Sequence, residues 1–320
     1  MMEYMTAKTM VRAAVQNSLG GPEVLEVIDI PRPEPRVNEV LIRVHAAGLN
    51  PTDWKHRANK GFVDAPPFVL GWDLSGVIEA VGIGVARFQP GDEVYGMLPY
   101  PFGHGSHAEY VAAPARIFTK KPVYLDHVQA AALPLVSLTA WQTLVDYADI
   151  QPGQRVLVHA AAGGVGHIAV QIAKAHGAYV IGTASESKHD FLRSLGVDQV
   201  IDYRTEDFVQ ATGDLDVVLD TIGGETQIRS LQTLRPGGIL VSTVPVGSDK
   251  LFREAEQLDV RAIRMLVDSS NTDLESIAEL VESGRIHATI AKAFPLDRIA
   301  DAHRLGETGR TTGKIVITMD

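Results

Sequence analysis

The run Val156-Leu157-Val158-His159-Ala160-Ala161-Ala162-Gly163-Gly164-Val165-Gly166 places an apolar stretch directly before a cluster of the smallest side chains. It reads as a strand, a tight turn and the start of a helix, which together aim unpaired backbone N–H groups at one point. A phosphate suits such a point, because those N–H groups and the helix dipole both favour negative charge. Set against the pattern G-x-G-x-x-G, the segment reads Ala161-x-Gly163-x-x-Gly166. Gly163 lets a pyrophosphate approach the backbone and Gly166 lets the helix pack close to the strand, while a small side chain at Ala161 replaces the first glycine. Ala162, Gly163, Gly164, Val165 and Gly166 are therefore the candidate dinucleotide contacts. A glycine-rich turn without a ligand is the competing reading.

The end of the following strand chooses the dinucleotide. It reads Val180-Ile181-Gly182-Thr183-Ala184-Ser185, with no carboxylate before Glu186. A carboxylate at the strand end would grip the ribose hydroxyls of NAD and repel a 2′-phosphate. Without it, Ser185, Lys188 and Arg204 can donate to that phosphate, so NADPH is the expected cofactor. Glu186 acting as a displaced ribose ligand is the alternative.

Three other constellations invite chemistry and do not sustain it. His104 and His107 in Gly103-His104-Gly105-Ser106-His107 lack a third metal ligand, and Ser106 is not in a G-x-S-x-G elbow. Thr308-Gly309-Arg310-Thr311-Thr312-Gly313-Lys314-Ile315 imitates a phosphate loop, but Thr308 and Ile315 break the pattern, leaving a turn into a final strand. Glu275, Glu279 and Glu282 lie among Leu274, Ile277 and Val281 at helical spacing, a solvated face. The chain has no cysteine, which removes disulfides, thiolate nucleophiles and thiolate metal sites.

The elements that must hold the glycine turn are legible around it. Strands are expected at 155–159, 178–183, 199–201, 216–220 and 238–243, alternating with helices at 166–176, 187–195 and 225–234. Strands separated by helices form a parallel, doubly wound sheet, an α/β fold. Residues 261–267 add an edge strand that can pair with a second copy, so a homodimer is expected. Before this region the texture is mostly β, with strands at 24–30, 39–46, 76–81, 92–95 and 108–112. From Asp126, a helix cap, it turns helical over 127–133 and 137–148. Helix, strand, helix and strand close the chain at 272–283, 289–294, 296–305 and 314–318. The 320 residues suggest two domains. With 29 basic and 39 acidic residues the net charge is −10, which disfavours nucleic acid and anionic membrane as partners. Residues 1–17 hold no apolar run of signal-peptide length, and no run of about 18 apolar residues occurs, so a cytoplasmic protein is expected.

Four ordered segments carry a family likeness. They are Ala46-Ala47-Gly48-Leu49-Asn50-Pro51-Thr52-Asp53-Trp54-Lys55, Gly71-Trp72-Asp73-Leu74-Ser75-Gly76-Val77, Val81-Gly82 through Phe88-x-x-Gly91-Asp92-x-Val94, and His159 to Gly166. On these the chain resembles the zinc-independent quinone oxidoreductase group of medium-chain dehydrogenases/reductases, and within it the enone (alkenal/one) reductase branch. The resemblance implies a mostly β, GroES-like catalytic domain from residues 1–125 and 268–320, a Rossmann domain from 126–267, and an active site in the cleft. Where zinc-dependent relatives have a cysteine this chain has Asn50, and where they have a His-Glu pair it has Trp72-Asp73, so no metal is expected.

The resemblance also implies site residues. Asn50 is expected near the nicotinamide and substrate, with a turn role before Pro51 as the alternative. Lys55 replaces the tyrosine usual in quinone reductases, as in the enone branch, and is expected beside the substrate oxygen; a solvated lysine is the alternative. Tyr203 is expected near the 2′-phosphate. The loop after Asp220-Thr221-Ile222-Gly223 and the segment Thr243-Val244-Pro245 are expected beside the nicotinamide. Trp54, Phe62, Trp72 and Tyr100 are expected to line an apolar substrate site, and the loop of His104 and His107, before Ala108-Glu109-Tyr110-Val111, to lie on its rim. The implied activity is hydride transfer from NADPH to a small hydrophobic quinone or α,β-unsaturated carbonyl. Reduction of another activated double bond such as an enoyl thioester, or cofactor binding without turnover as a sensor or structural protein, remains open.

Overall fold

The computed structural model describes residues 9–59, 61–63, 65–244 and 249–319. The chain divides into two compact units, one of Met1–Leu135, Ser269–Asn271 and Ile290–Asp320, the other of Val136–Asp268 and Thr272–Thr289.

The first unit begins with β1 (Met10–Gln16) and β2 (Leu25–Pro31), an antiparallel pair. Then come β3 (Glu39–Leu49), α1 (Pro51–Ala58), β4 (Phe68–Val69), β5 (Asp73–Val81), β6 (Glu93–Met97), β7 (Tyr110–Pro114), β8 (Phe118–Lys120) and α2 (His127–Ala131). β3 is long enough to pair with β5 along most of its length and with β7 at its start. Asp126 caps α2 as expected: its carboxylate accepts from Gln129 N–H at 2.7 Å, and Gln129 Oε1 accepts the Asp126 N–H at 3.2 Å. Pro51 starts α1, where its missing N–H costs nothing.

The second unit opens in α3 (Pro134–Trp141), which widens into a π-helical stretch at Gln142–Tyr147 where regular helix was expected. The alternation then follows: β9 (Arg155–Val158), α4 (Gly164–Ala175), β10 (Tyr179–Ala184), α5 (His189–Ser194), β11 (Gln199–Asp202), α6 (Phe208–Ala211), β12 (Leu215–Asp220), α7 (Gly224–Leu231), β13 (Leu234–Ser242), α8 (Lys250–Gln257), β14 (Arg261–Arg264) and α9 (Asn271–Glu282). Six strands form one parallel sheet in the order β11-β10-β9-β12-β13-β14. This is the doubly wound Rossmann order, in which the chain reverses direction across the sheet between β9 and β12, and ligands bind at the carboxyl ends of strands there. Leu157, Ile181, Ile201, Val218 and Leu240 pack together with Phe208, Leu231 and Leu251 from the helices. Each such side chain contributes about 1.5–3 kcal/mol of burial, which anchors the sheet beneath its loops.

The chain returns to the first unit in β15 (Ile290–Pro295), α10 (Ile299–Glu307) and β16 (Lys314–Thr318), completing a sheet ordered β15-β16-β3-β5-β6-β8, with β7 on β3. That return comes later than residue 268, because two glutamines tie the intervening segment down. Gln142 Nε2 donates to Asp268 O and Asp273 Oδ2 at 3.0 and 3.1 Å, and Gln171 exchanges two 3.0 Å bonds with the His287 backbone. Among the described residues no helix is long and apolar enough to cross a membrane.

Candidate functional site

In the second unit the turn after β9 is held from below by a buried imidazole. His159 Nε2 lies 2.9 Å from Ser230 Oγ, whose own proton goes to Thr226 O, and Nδ1 lies 3.2 Å from Thr183 Oγ1. Ser230 must therefore accept from Nε2–H, and in a neutral ring this leaves Nδ1 to accept from Thr183 Oγ1. Burial agrees, pushing its pKa down to about 4. Thr183 Oγ1 also accepts the Ala160 N–H at 3.2 Å, and Gly163 N–H closes the turn on Ala160 O at 2.8 Å. The left-handed residue of this turn is Ala160, at φ 48°, not Ala161. Ala161 is instead buried close beneath Gly182, where a Cβ would come within 2.9 Å of its methyl.

Gly166 has no room for a side chain, since a Cβ there would meet Ala160 O at 2.4 Å and Ala161 Cα at 2.7 Å. Gly163 caps α4 without a side-chain bond, leaving the first-turn N–H groups of Gly164, Val165 and Gly166 directed outward by helix geometry. Ala162, Gly163, Gly164, Val165 and Gly166 thus form a continuous cradle whose shape and dipole fit a pyrophosphate.

At the ends of β10 and β11, Ser185, Lys188, Tyr203 and Arg204 come together. Asp202 organises them, its carboxylate accepting from Glu186 N–H at 3.1 Å and Arg204 N–H at 3.0 Å. Those backbone bonds, the Arg204 N–H first, hold the Asp202 pKa below the usual carboxylate range. Burial and the neighbouring Arg204 charge lower the Lys188 pKa, which marks two cations sharing one locale. The Arg204 guanidinium lies 5.7 Å from the centre of the exposed Tyr203 ring. Ser185 is buried with its hydroxyl 3.4 Å from Ser187 Oγ, and Glu186 is exposed. Asp202 was missed by sequence reasoning; its place at a strand end was the available signal.

A second missed network ties β12 to β13. Asp220 accepts from Ile222 N–H, Gly223 N–H and Ser242 Oγ at 2.9, 3.0 and 2.8 Å, and Gln227 Nε2 donates to Ser242 Oγ at 2.6 Å. Ser242 Oγ in turn lies 3.3 Å from Val244 N, and Val244 packs against Gly223, which sits at φ 82°. Val244 therefore sits at the carboxyl end of the sheet beside the Gly223 loop; Pro245 lies outside the described residues.

In the first unit Asn50 is fully buried and both ends of its amide are used. Nδ2 donates to Asp73 Oδ2 at 2.8 Å, and Oδ1 accepts from Lys314 Nζ. The Lys314 ammonium also donates to Leu49 O at 2.9 Å and lies 3.5 Å from Asp73 Oδ2. Asp73 Oδ1 accepts the Leu135 N–H at 2.7 Å, and Asp53 Oδ2 accepts the Asn50 N–H at 2.6 Å. Burial raises the pKa of Asp73 and lifts that of Asp53 to about 8, while it lowers that of Lys314. At neutral pH Asp53 is thus a neutral acid beside the Lys314–Asp73 ion pair. Lys314, set aside in sequence as part of a turn, is the buried cation of this network.

Lys55 stands exposed on α1, three positions after Thr52. Tyr100 is half-buried, but Trp72 is fully buried, packed at 5.4, 5.3 and 6.1 Å against the rings of His56, Tyr100 and His104; it is core and lines no open site. Trp54 backs onto Gly306, and Phe62 is half exposed. His107, expected on a rim, is likewise fully buried: neither ring nitrogen has a hydrogen-bond partner among the described residues, and burial takes its pKa to about 3.

Known proteins share this fold and much of this sequence. The family model for the alcohol dehydrogenase GroES-like domain matches residues 36–123, and that described as zinc-binding dehydrogenase matches residues 195–317. A 2-haloacrylate reductase from Burkholderia is 36% identical, covering 96% of this chain and 99% of its own length. The chain belongs to the quinone oxidoreductase-like medium-chain dehydrogenases/reductases. Another relative, the chloroplastic NADPH-dependent alkenal/one oxidoreductase of Arabidopsis thaliana, is 36% identical over 96% of this chain and 79% of that protein. The solved quinone oxidoreductase of Coxiella burnetii superposes with a TM-score of 0.93 at 38% identity, covering 98% and 100% of the two chains. The protein is an oxidoreductase with a GroES-like and a Rossmann unit. The zinc in the name of one model has no counterpart in its donors. Asn50 and Trp72 take the thiolate and imidazole places, and the Lys314 ammonium, a cation itself, already fills the bonds of Asn50 Oδ1 and Asp73.

Proposed function

We propose that this protein is an NADPH-dependent, zinc-independent reductase that adds hydride to a quinone or to the β-carbon of an α,β-unsaturated carbonyl compound. The observation that carries the cofactor choice is the cluster of Ser185, Lys188, Tyr203 and Arg204, in which the one nearby buried carboxylate, Asp202, is occupied by backbone N–H groups. Ala162, Gly163, Gly164, Val165 and Gly166 hold the pyrophosphate, Ser185, Lys188 and Tyr203 the 2′-phosphate, and Val244 the nicotinamide side. The bound nicotinamide supplies the hydride. Lys55 offers a mobile ammonium to the oxygen that gains charge, and Asn50 acts through the backbone, fixing the start of α1 that carries Lys55. The edge of β14, which among the described residues pairs only with β13, supports a homodimer joined strand to strand.

The test is oxidation of NADPH and NADH by the purified protein in chelator-treated buffer, against menadione and a set of enones. Acceptor-dependent NADPH oxidation is expected. The double variant Lys188→Ala with Arg204→Ala should lower the preference for NADPH over NADH by about 10- to 100-fold, the value of a charge-assisted hydrogen bond. NADPH binding with no oxidation by any acceptor would move the protein to the class of cofactor-binding sensors, and an equal use of NADH would remove the 2′-phosphate assignment.

A further inference from the structure

The reading as a double-bond reductase leaves one proton without a source, and the first unit holds an ordered set of donors that nothing above has used. Thr52 Oγ1 donates to the Tyr100 hydroxyl at 3.1 Å. His56 Nδ1 lies 3.0 Å from the same Thr52 oxygen and 2.8 Å from the Thr52 carbonyl. A carbonyl only accepts, so Nδ1 carries a proton and faces two acceptors. Thr52 has spent its single proton on Tyr100. The hydrogen bonds therefore run in one direction, from His56 through Thr52 to Tyr100, and the phenol's own proton is not spent on Thr52.

We propose that Tyr100 is the acid that protonates the α-carbon of the acceptor, and that Thr52, held in place by His56, restores its proton. The inference rests on the reductase reading. Tyr100 is placed for it: its ring stands 5.3 Å from that of Trp72 and edge-on, 6.5 Å, to that of His56, so the half-buried phenol is held at one angle. Burial raises its pKa and so keeps it protonated until a strong base forms. Thr52 and Lys55 are three residues apart on α1 and share its face, which brings an ammonium and a phenol to the two ends of one enolate, oxygen and carbon.

The step balances. Hydride adds to the β-carbon, the π pair of the C=C bond moves to the α-carbon and carbonyl oxygen, and the Tyr100 O–H bond breaks as its proton joins the α-carbon. The phenolate then takes the Thr52 proton and the part-buried Thr52 hydroxyl takes one from water, while His56 Nδ1–H keeps the Thr52 oxygen turned towards Tyr100.

The experiment uses carvone, whose reduction creates a stereocentre at the α-carbon, with menadione as comparator. For Tyr100→Phe the carvone turnover number should fall about 100-fold while KM moves less than about 3-fold, and the ratio of carvone to menadione turnover should fall by at least about 10-fold. The diastereomer ratio of dihydrocarvone should drift towards that of solvent protonation. Thr52→Val should show a smaller loss and Thr52→Ser should restore it. A readout free of cofactor is the ¹³Cζ resonance of Tyr100 in labelled protein, which should move in Thr52→Val and return in Thr52→Ser. Wild-type protein that reduces neither carvone nor menadione would overturn the reductase reading on which the relay stands. Wild-type reduction of carvone, matched by Tyr100→Phe in rate and diastereomer ratio, would overturn the relay alone, as would a Tyr100 resonance indifferent to Thr52.

Discussion

Replacing Asp53 by Asn tests the neutral acid buried beneath α1. The folded pKa of Asp53 is raised from 3.8 to about 8, burial being the main cause and the Asn50 N–H and Lys314 charge opposing it. Between those two values the folded protein holds a proton that the unfolded chain has released, so stability falls as pH rises. The slope is that of one proton, about 1.4 kcal/mol per pH unit, or about 3 kcal/mol from pH 5.5 to 7.5. Asn is the shape of the protonated acid and keeps an oxygen for the Asn50 N–H while having no proton to release. Thermal unfolding of both proteins across that range should show the wild-type Tm falling relative to Asp53→Asn by about 6–12 °C, at about 2–4 °C per kcal/mol. Parallel Tm curves would mean that Asp53 is ionised in the fold, and the account of the network as one ion pair plus one neutral acid would then be wrong.

His107 gives the opposite slope. Its folded pKa of about 3 lies below its ordinary 6.5, so the stability it contributes is present above pH 6.5 and is lost as pH falls towards 3. His107→Phe should therefore flatten the acid side of the Tm curve between pH 4.5 and 6.5 by about 1 kcal/mol per unit; an unchanged acid limb would show the imidazole to be hydrated. Gly166→Ala places a methyl 2.4 Å from Ala160 O and must push α4 off the turn, at a cost of about 1–3 kcal/mol. The rise in Tm on adding NADPH should vanish in this variant, and a full rise would show that the cradle lies elsewhere. Lys55→Ala should lower the turnover number for an enone by about 10-fold, less than the loss of a rigid oxyanion donor because the side chain is exposed. An undiminished turnover number removes Lys55 from the mechanism.

The parallel sheet was readable along the chain because its evidence is local. Apolar runs such as Val156-Leu157-Val158, buried on both faces, mark its strands, and the small residues from Ala160 to Gly166 announce the turn in their own order. The expectation of a site without zinc needed no geometry either, since it rests on the absence of cysteine and on Asn50 and Trp72. Helix α8 escaped notice because only Leu251 and Ala255 of its eight residues are buried, too short an apolar stripe to show a period. The lower half of each site was decided by tertiary structure alone. Lys314 looked like part of a turn until β16 paired with β3 and brought its ammonium to Asn50 and Asp73 from more than two hundred residues away. His159 and Ser230 meet beneath the cofactor turn in the same way, as do Thr52 and Tyr100 across the first unit. A sequence states which side chains have chemistry to offer. Burial and long-range pairing set which of them are charged, which are neutral, and which keep a proton to give.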